Sequence, residues 1–577
     1  MIAENAVLLQ ADSHWLHFSQ PQRILIAQQP GEVRAALRAV KEAVEGEGLH
    51  AAGFLTYEAA TGMDAALVTH PPAALPVLWF GLYRTPEVWT HLPPGGPYAL
   101  TAWQPSQALP AYRQAIVQIK DAIARGDTYQ VNYTIRLHAN WQGDPWGLFV
   151  DLAAAQRGGY AAFLNLGRHV ICSASPELFM QVEGERIWSR PMKGTAARGR
   201  TLVEDQALAA QLAASVKDQA ENIMIVDMIR NDLGRIARYG SVHVPRLLEI
   251  ERYPTVLQMT STVAAASDAA LDEVLAALFP CASITGAPKV RTMQLINRLE
   301  AGPRGVYTGA IGYLAPQRRA RFSVAIRTVT LDLAAGEATY GVGSGIVWDS
   351  DADAEYAECL LKAQVLTRRF PQFELLETLR WTAAAGCVRL EGHLARLAAA
   401  ATYFDFVFDV EDARARLHAL DPAALPDPAR LRLLLARDGT LRVEAQPLTL
   451  PMAAPLLRLR LAAEAVDSTD PFLYHKTTQR TVYERARAAQ PDCDEVLLWN
   501  ERGELTEATT ANVVLALEGR WVTPPVSSGL LPGILRGELL AAGHIHEQVI
   551  TVEQVRRART VYLINSLRGW RAGEMVR

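Results

Sequence analysis

The sequence predicts two domains, the first an α+β fold, and three observations carry that reading. The chain has 577 residues, well past the roughly 300 at which a single hydrophobic core stops growing. Its first part alternates apolar runs rich in β-branched residues with helical stretches. The pattern then halts at Arg368-Arg369-Phe370-Pro371 and restarts with FELLETLRW. Proline cannot continue a helix and biases the residue before it towards extended structure, so the boundary falls near 370, giving domains over 1–370 and 371–577. The short junction predicts docked domains rather than a long tether.

In chain order, HVICSASPELFMQVEGERIWS, GVYTGAIGYL and RFSVAIRTVTLDL read as strands joined by Gly-rich turns. Helices are expected over 206–238, 289–300 and 352–367. Half of the residues are hydrophobic, a fifth are charged and the formal net charge is −4. That is a globular composition without the clustered basic excess that nucleic acid or an anionic membrane requires. No apolar run approaches the roughly 20 residues of a membrane span, and the N-terminus has Glu4 where a signal peptide would be basic. Cys172, Cys281, Cys359, Cys387 and Cys493 are scattered and odd in number, which predicts neither a disulfide framework nor a zinc site and fits the reducing cytoplasm.

Two acidic pairs stand at i, i+3 in helical segments: Asp218 with Glu221, and Glu355 with Glu358. Each pair shares a helix face. Alone, such a pair is ordinarily solvent-facing; two facing helices of this kind could hold a hard cation such as Mg²⁺. Lys193 lies in SRPMKGTAARGR between Arg190 and Arg198, and a lysine near other cations has a lowered pKa and can act as a nucleophile. Ser283-Ile284-Thr285-Gly286 precedes a helix and offers backbone amides. GVGSGIVWDS is a glycine loop that backbone could bring close to a ligand, without the dinucleotide-binding order of glycines.

Together the segments SASPELF, RPMKGT, AENIMIVDMIRNDLGRI, FPCASITGAPK, YTGAIGY, AIRT and GSGIVWDSDADAEYAE resemble the chorismate-utilising enzymes over residues 111–362. That resemblance implies two sheets flanking the site with helices outside. Lysine at position 193 matches the branch of aminodeoxychorismate synthase component I, where anthranilate synthases have alanine. It implies that Lys193 attacks chorismate C2 and ammonia then adds at C4. It further implies Mg²⁺ held by Glu221 and Glu358 with Asp218 and Glu355 in support, substrate carboxylate at Tyr307 and Arg327, backbone contacts at Gly343 and Gly345, and Thr285 lining the pocket. Gln258 stands where relatives often carry histidine, and Asp218 where they carry glutamate. No glutaminase nucleophile segment occurs in the chain, so ammonia is expected from a separate glutamine amidotransferase subunit.

The second part runs FELLETLRW, EGHLARLAAAATYFDF, FLYHKTTQRTVYERA, DEVLLWNERGELTEATTANVVL, GLLPGILRGELL and TVYLINSLRGW. In that order it resembles fold-type IV pyridoxal phosphate (PLP) enzymes over 373–570, which implies a two-subdomain α/β fold and a homodimer. PLP requires a lysine imine, an acid at the pyridine nitrogen, and amides and a cation for the phosphate. The matching residues are Lys476, Glu507 and Arg396, with Gly533 and Ile534 supplying amides, Ser566 near the phosphate or substrate, and Thr378 facing the substrate. Asn512 reads as structural as readily as functional. Lyase and aminotransferase are poorly separated by these residues; what favours an aminodeoxychorismate lyase is that the product expected of the first domain is its substrate. Two alternatives stay open: an anthranilate or isochorismate synthase joined to an aminotransferase, and one half acting as a non-catalytic module.

Overall fold

The computed structural model describes residues 2–156, 158–366, 371–450 and 456–576; residues 367–370 of the expected junction lie outside them. The chain forms two compact units. One comprises Met1–Ala197 and Ala209–Phe370, the other Arg198–Leu208 and Pro371–Arg577. Among the described residues no helix is long and apolar enough to cross a membrane.

The first unit is built on two antiparallel sheets. One passes through Gln130–Gly143, Glu337–Ile346, Thr328–Asp332, His169–Ser175, Tyr160–Asn165 and Val7–Ala11. The other passes through Met192–Ala197, Val256–Ala266, Arg186–Arg190, Leu178–Glu183, Arg319–Val324, Ala310–Ala315 and His50–Leu55. Strand alternation sorts their side chains. Val7, Leu9 and Ile171 of the first sheet meet Phe54, Trp79 and Ile311 of the second in one buried cluster. Leu8 points the other way, into a core with Tyr112, Ile116 and Ile119 of the helix Leu109–Ala124. On the far side of the second sheet, Leu55 and Phe322 pack with Leu37 and Val40 of the helix Val33–Gly46 and with Ile225 and Ile229 of the helix Val216–Gly234. This is the expected arrangement of two sheets with helices outside.

One local reading gains detail and two change. The run RFSVAIRTVTLDL is two strands in different sheets: Arg319–Val324 belongs to one and Thr328–Asp332 to the other. Arg327, at φ 53°, turns the chain between them, which periodicity cannot reveal because both halves alternate. The stretch expected as one helix over 206–238 is two, Leu202–Ala214 and Val216–Gly234, because Ser215 adopts extended backbone and its hydroxyl accepts from the Asp218 amide. The helix expected over 352–367 ends earlier, at Lys362, and tightens into a 3₁₀ turn to Leu366.

The second unit carries two sheets. A four-stranded one contains Leu375–Thr382 and Ala429–Leu435; an eight-stranded one pairs Leu457–Leu461 in parallel with Glu495–Trp499 and with Gly569–Met575. Leu375, Leu379 and Trp381 pack under Leu394, Leu397 and Ala401 of the helix Leu390–Phe404. Leu202, from the segment Arg198–Leu208, joins that cluster.

Replacing the capping hydroxyl in Ser215→Ala should cost about 1 kcal/mol of stability, read as a lowered urea midpoint for the first unit's transition with an unchanged slope.

Candidate active sites

Lys193 stands on a β-bulge. Met192 pairs with Thr260 and Thr195 with Gln258, so the lysine strand carries one residue more than its partner. Bulges re-aim side chains next to active sites. Gly194 makes this one possible: its φ is +91°, and a Cβ there would lie 2.9 Å from Asp218 Cβ. Gln258 clamps the bulge, its Nε2 donating to Gly194 O at 2.8 Å and its Oε1 accepting from Thr195 Oγ1 at 3.0 Å. Asn222 donates to Lys193 O at 3.3 Å. Gln258 thus serves the lysine loop's geometry.

The amine reaches the opposite sheet. A Cβ on Gly345 would stand 2.9 Å from Lys193 Nζ and would also collide with Gln130 Nε2. Glycine at 345 therefore makes the room the lysine occupies. Burial lowers the Lys193 pKa and Lys362 adds to the shift, while Glu221, Glu177 and Glu358 oppose it. A lowered pKa populates the neutral, nucleophilic amine.

The acidic helices bear on the same point. Burial raises the Glu221 pKa and the charges of Asp218 and Glu355 push it the same way, against Lys193 and Lys217. Carboxylates from both helices thus act on one another, and such an oxygen-only donor set suits a hard cation. Glu358 is held differently. Its partial burial is outweighed by Lys362, at 2.7 Å, so its pKa falls. Lys362 also donates to Gly343 O at 2.9 Å. Among the described residues no group of three or more His, Cys, Asp or Glu that could hold a metal ion occurs, so the four carboxylates expected as Mg²⁺ ligands do not form such a group.

The other expected residues divide. Tyr307 is buried, with the Arg136 guanidinium 5.3 Å over its ring. Arg327 donates to Lys362 O at 2.8 Å, beside the end of the acidic helix. The Thr285 hydroxyl faces the carbonyls of its own turn, Ala282 O at 3.2 Å and Cys281 O at 3.3 Å; its own carbonyl accepts from Asn132 N at 2.8 Å.

Two residues escaped the sequence reading. Glu177 is buried, accepts from Ser283 Oγ at 2.6 Å, and is pushed up to about 7 by burial against the pull of Ser283 and Lys193. It sits inside the quoted SASPELF, where the only signal was a carboxylate at the mouth of an apolar strand. Gln130 is buried beside Lys193, with its Oε1 lacking a hydrogen-bond partner, and TYQVNYT gave no hint of it.

In the second unit, charged groups converge on Lys476. Burial lowers its pKa to about 8, the positive charges of Arg396 and Arg480 act the same way, and Glu377 and Glu507 oppose them. Glu507 is buried and pushed up to about 7 despite the Tyr483 hydroxyl, which donates to it at 2.8 Å, and the Leu531 amide. Asn512 Nδ2 donates to Leu531 O at 2.8 Å and lies 3.4 Å from Glu507 Oε2, so it fixes the carboxyl. Arg396 reaches Pro532 O at 3.1 Å, at the turn that leads through Gly533 into the helix Ile534–Ala541. Gly392 permits this approach, since a Cβ there would lie 2.9 Å from Ile534 Cγ2. Helix first-turn amides lack intrahelical partners. A partly buried lysine, a buried carboxyl with a raised pKa, and an arginine at a helix start fit a phosphorylated pyridine aldehyde.

Arg396 is itself oriented by Glu377, which it binds through Nε and Nη2, both at 2.8 Å. His393 Nδ1 lies 2.7 Å from the same carboxylate. Burial would raise Glu377, yet Arg396 and His393 hold it down at about 2. Glu377, Arg480 and Tyr483 lay within quoted segments without being singled out. Thr378, next along the strand, projects to the face opposite Glu377, and Ser566 lies in the turn after the strand Val561–Asn565.

The raised Glu177 carboxyl carries a stability signature. Below about pH 4.5 it is protonated folded and unfolded alike and costs nothing; above about 7 it is ionised in both states and the whole penalty applies. Glu177→Gln should therefore stabilise the first unit at pH 8, by on the order of 3 kcal/mol, with the difference closing towards pH 4 in parallel urea titrations.

Comparison with known proteins matches the two units to two families. Residues 4–368 match the family of chorismate binding enzymes, and 374–574 match amino-transferase class IV. The chain is 46% identical over 261 residues to an aminodeoxychorismate synthase of Streptomyces pristinaespiralis, covering 44% of this chain and 36% of that protein. It is 43% identical over 265 residues to aminodeoxychorismate synthase component 1 of Salmonella typhimurium, covering 45% of this chain and 58% of that one. It thus spans between about a third and three fifths of these relatives' lengths. Anthranilate synthase component I of Streptococcus pneumoniae superposes with a TM-score of 0.51 at 25% identity, over 63% of this chain and 91% of that one. With its family match covering more than half of its length, the chain belongs to the chorismate binding enzymes, and a class IV amino-transferase region follows that domain.

Proposed function

We propose that the chain makes 4-aminobenzoate, a folate precursor, from chorismate in two steps. The observation that carries this is Lys193 itself, a desolvated amine on a bulge that reaches the space left by Gly345. Its attack on chorismate C2 shifts the ring double bonds and expels the 4-hydroxyl. Glu177, protonated up to about pH 7, gives the leaving oxygen its proton, so water departs. Ammonia then adds at C4, the C2–N bond breaks, and the lysine leaves with its amine restored, giving aminodeoxychorismate. Covalent attack divides one hard substitution into two easier ones. Mg²⁺ at Glu221 and Glu358, supported by Asp218 and Glu355, would neutralise the ring carboxylate. Tyr307 and Arg327 would hold the enolpyruvyl carboxylate. Ammonia would come from a separate glutamine amidotransferase.

In the second unit bound PLP would supply an electron sink. Lys476, neutral above about pH 8, would remove and return the proton as pyruvate is eliminated and the ring becomes aromatic. Glu507 would share its proton with the pyridine nitrogen. Arg396, the amides of Gly533 and Ile534, and Ser566 would hold the phosphate, and Thr378 would face the substrate. A homodimer through this unit is part of the proposal, as is a cytoplasmic setting. The match to class IV amino-transferases favours transamination as the second reading for this unit.

Chorismate, Mg²⁺ and ammonium are mixed with the PLP-stripped chain, with and without added PLP, and products are identified by mass. Aminodeoxychorismate without PLP, and 4-aminobenzoate plus pyruvate with it, are expected. Anthranilate would sink the first assignment; aminodeoxychorismate that accumulates despite PLP would sink the second. Lys193→Ala should abolish chorismate amination, and Lys476→Ala should lose the visible absorbance of bound PLP while amination continues.

A further inference from the structure

Unit membership along the chain is interrupted. Five residues after Lys193 the chain joins the second unit, stays in it over Arg198–Leu208, and returns to the first at Ala209. What those residues touch is specific. Arg198 donates to Tyr403 O at 2.8 Å and its guanidinium lies 4.5 Å over the Tyr403 ring. The Tyr403 hydroxyl donates back to Gly199 O at 2.7 Å. His475 stacks on Tyr403 with ring centroids 4.3 Å apart and meets Phe404 edge-on. Its Nε2 lies 3.1 Å from Arg200 O. Arg200 reaches the Tyr474 hydroxyl at 3.2 Å and Ser527 O at 3.4 Å.

The segment therefore grips Tyr474 and His475, the two residues before Lys476. It is itself rigid. Buried Asp205 ties Arg198 Nε at 2.6 Å to the Gly199 amide at 3.1 Å, and Glu204 takes Arg200 through Nε at 3.0 Å and Nη2 at 2.7 Å. Burial holds the His475 pKa down at about 4, so the ring is neutral. A carbonyl only accepts, so the ring proton sits on Nε2 and points at Arg200. On the other side of the lysine, Lys476 O accepts from Leu376 N at 3.0 Å. Lys476 is thus held from the four-stranded sheet on one side and, through His475, from the inserted segment on the other.

We propose that Arg198–Arg200 is a positioning element of the Lys476 site, and that Arg200 and His475 are its positioning residues. The inference rests on Lys476 being the cofactor lysine. It predicts that a site formed wholly by residues after 371 would hold its lysine loosely, because the contacts that fix His475 come from the middle of the first domain's sequence.

The test uses the full chain stripped of PLP, with PLP itself as the probe. Two variants separate the contacts: His475→Phe keeps the stacked ring and loses the bond to Arg200 O, and Arg200→Ala releases Tyr474 and Glu204. PLP affinity is measured, together with the pH midpoint of PLP uptake, which reports where the lysine becomes neutral. Chorismate consumption by His475→Phe checks that the chain is folded. Loosening the site admits water, so both variants should bind PLP about tenfold more weakly, with the uptake midpoint raised by about one pH unit. Both variants matching the unmodified chain in affinity and midpoint would overturn the proposal. If the unmodified chain takes up no PLP, or Lys476→Ala takes it up with the same visible band, the reading of Lys476 fails and the proposal with it.

Discussion

Much of the first unit's site turns on the room left at Gly345. One methyl group there would meet both the Nζ of Lys193, which reaches across from the other sheet, and Gln130 of the adjoining strand. Lys193 is partly buried there, and desolvation is the largest influence on its pKa. Neighbouring features serve the same place: the bulge at Gly194 aims the side chain, Gln258 and Asn222 hold the bulge, and the buried Glu177 carboxyl feels the charge of Lys193.

The second unit reaches a similar end by other means. Lys476 is also desolvated, but it sits among two arginines and two glutamates. The two acids are set apart by their surroundings. Glu377 is held ionised by Arg396 and His393, whereas Glu507, with a phenol and amides for company, keeps a proton near neutrality. One carboxylate orients a cation and the other is poised to share a proton, a division of labour set by environment rather than residue type.

The two-sheet core and both lysines were legible in the sequence because they rest on short, ordered segments whose residue types are constrained by chemistry. Other features were not. The break at Ser215 was hidden because helical periodicity continues on both sides of it. The strand change at Arg327 was hidden because alternation is the same in either sheet. Glu177 and Gln130 matter for where burial places them, and burial at a contact between distant strands has no local signature. The Arg198–Leu208 insertion was the least legible of all, since its partners Tyr403, Tyr474 and His475 lie more than two hundred residues further on.

That insertion bears on how the molecule is made. As the ribosome extends the chain, Arg198–Leu208 emerge long before the sheet and helices they belong with. Domains generally fold as units during synthesis, the N-terminal one first. Here the apolar Leu202 and the arginines of that segment await Tyr403, Tyr474 and the cluster around them, so the nascent protein carries an unfinished surface until its last third has been translated.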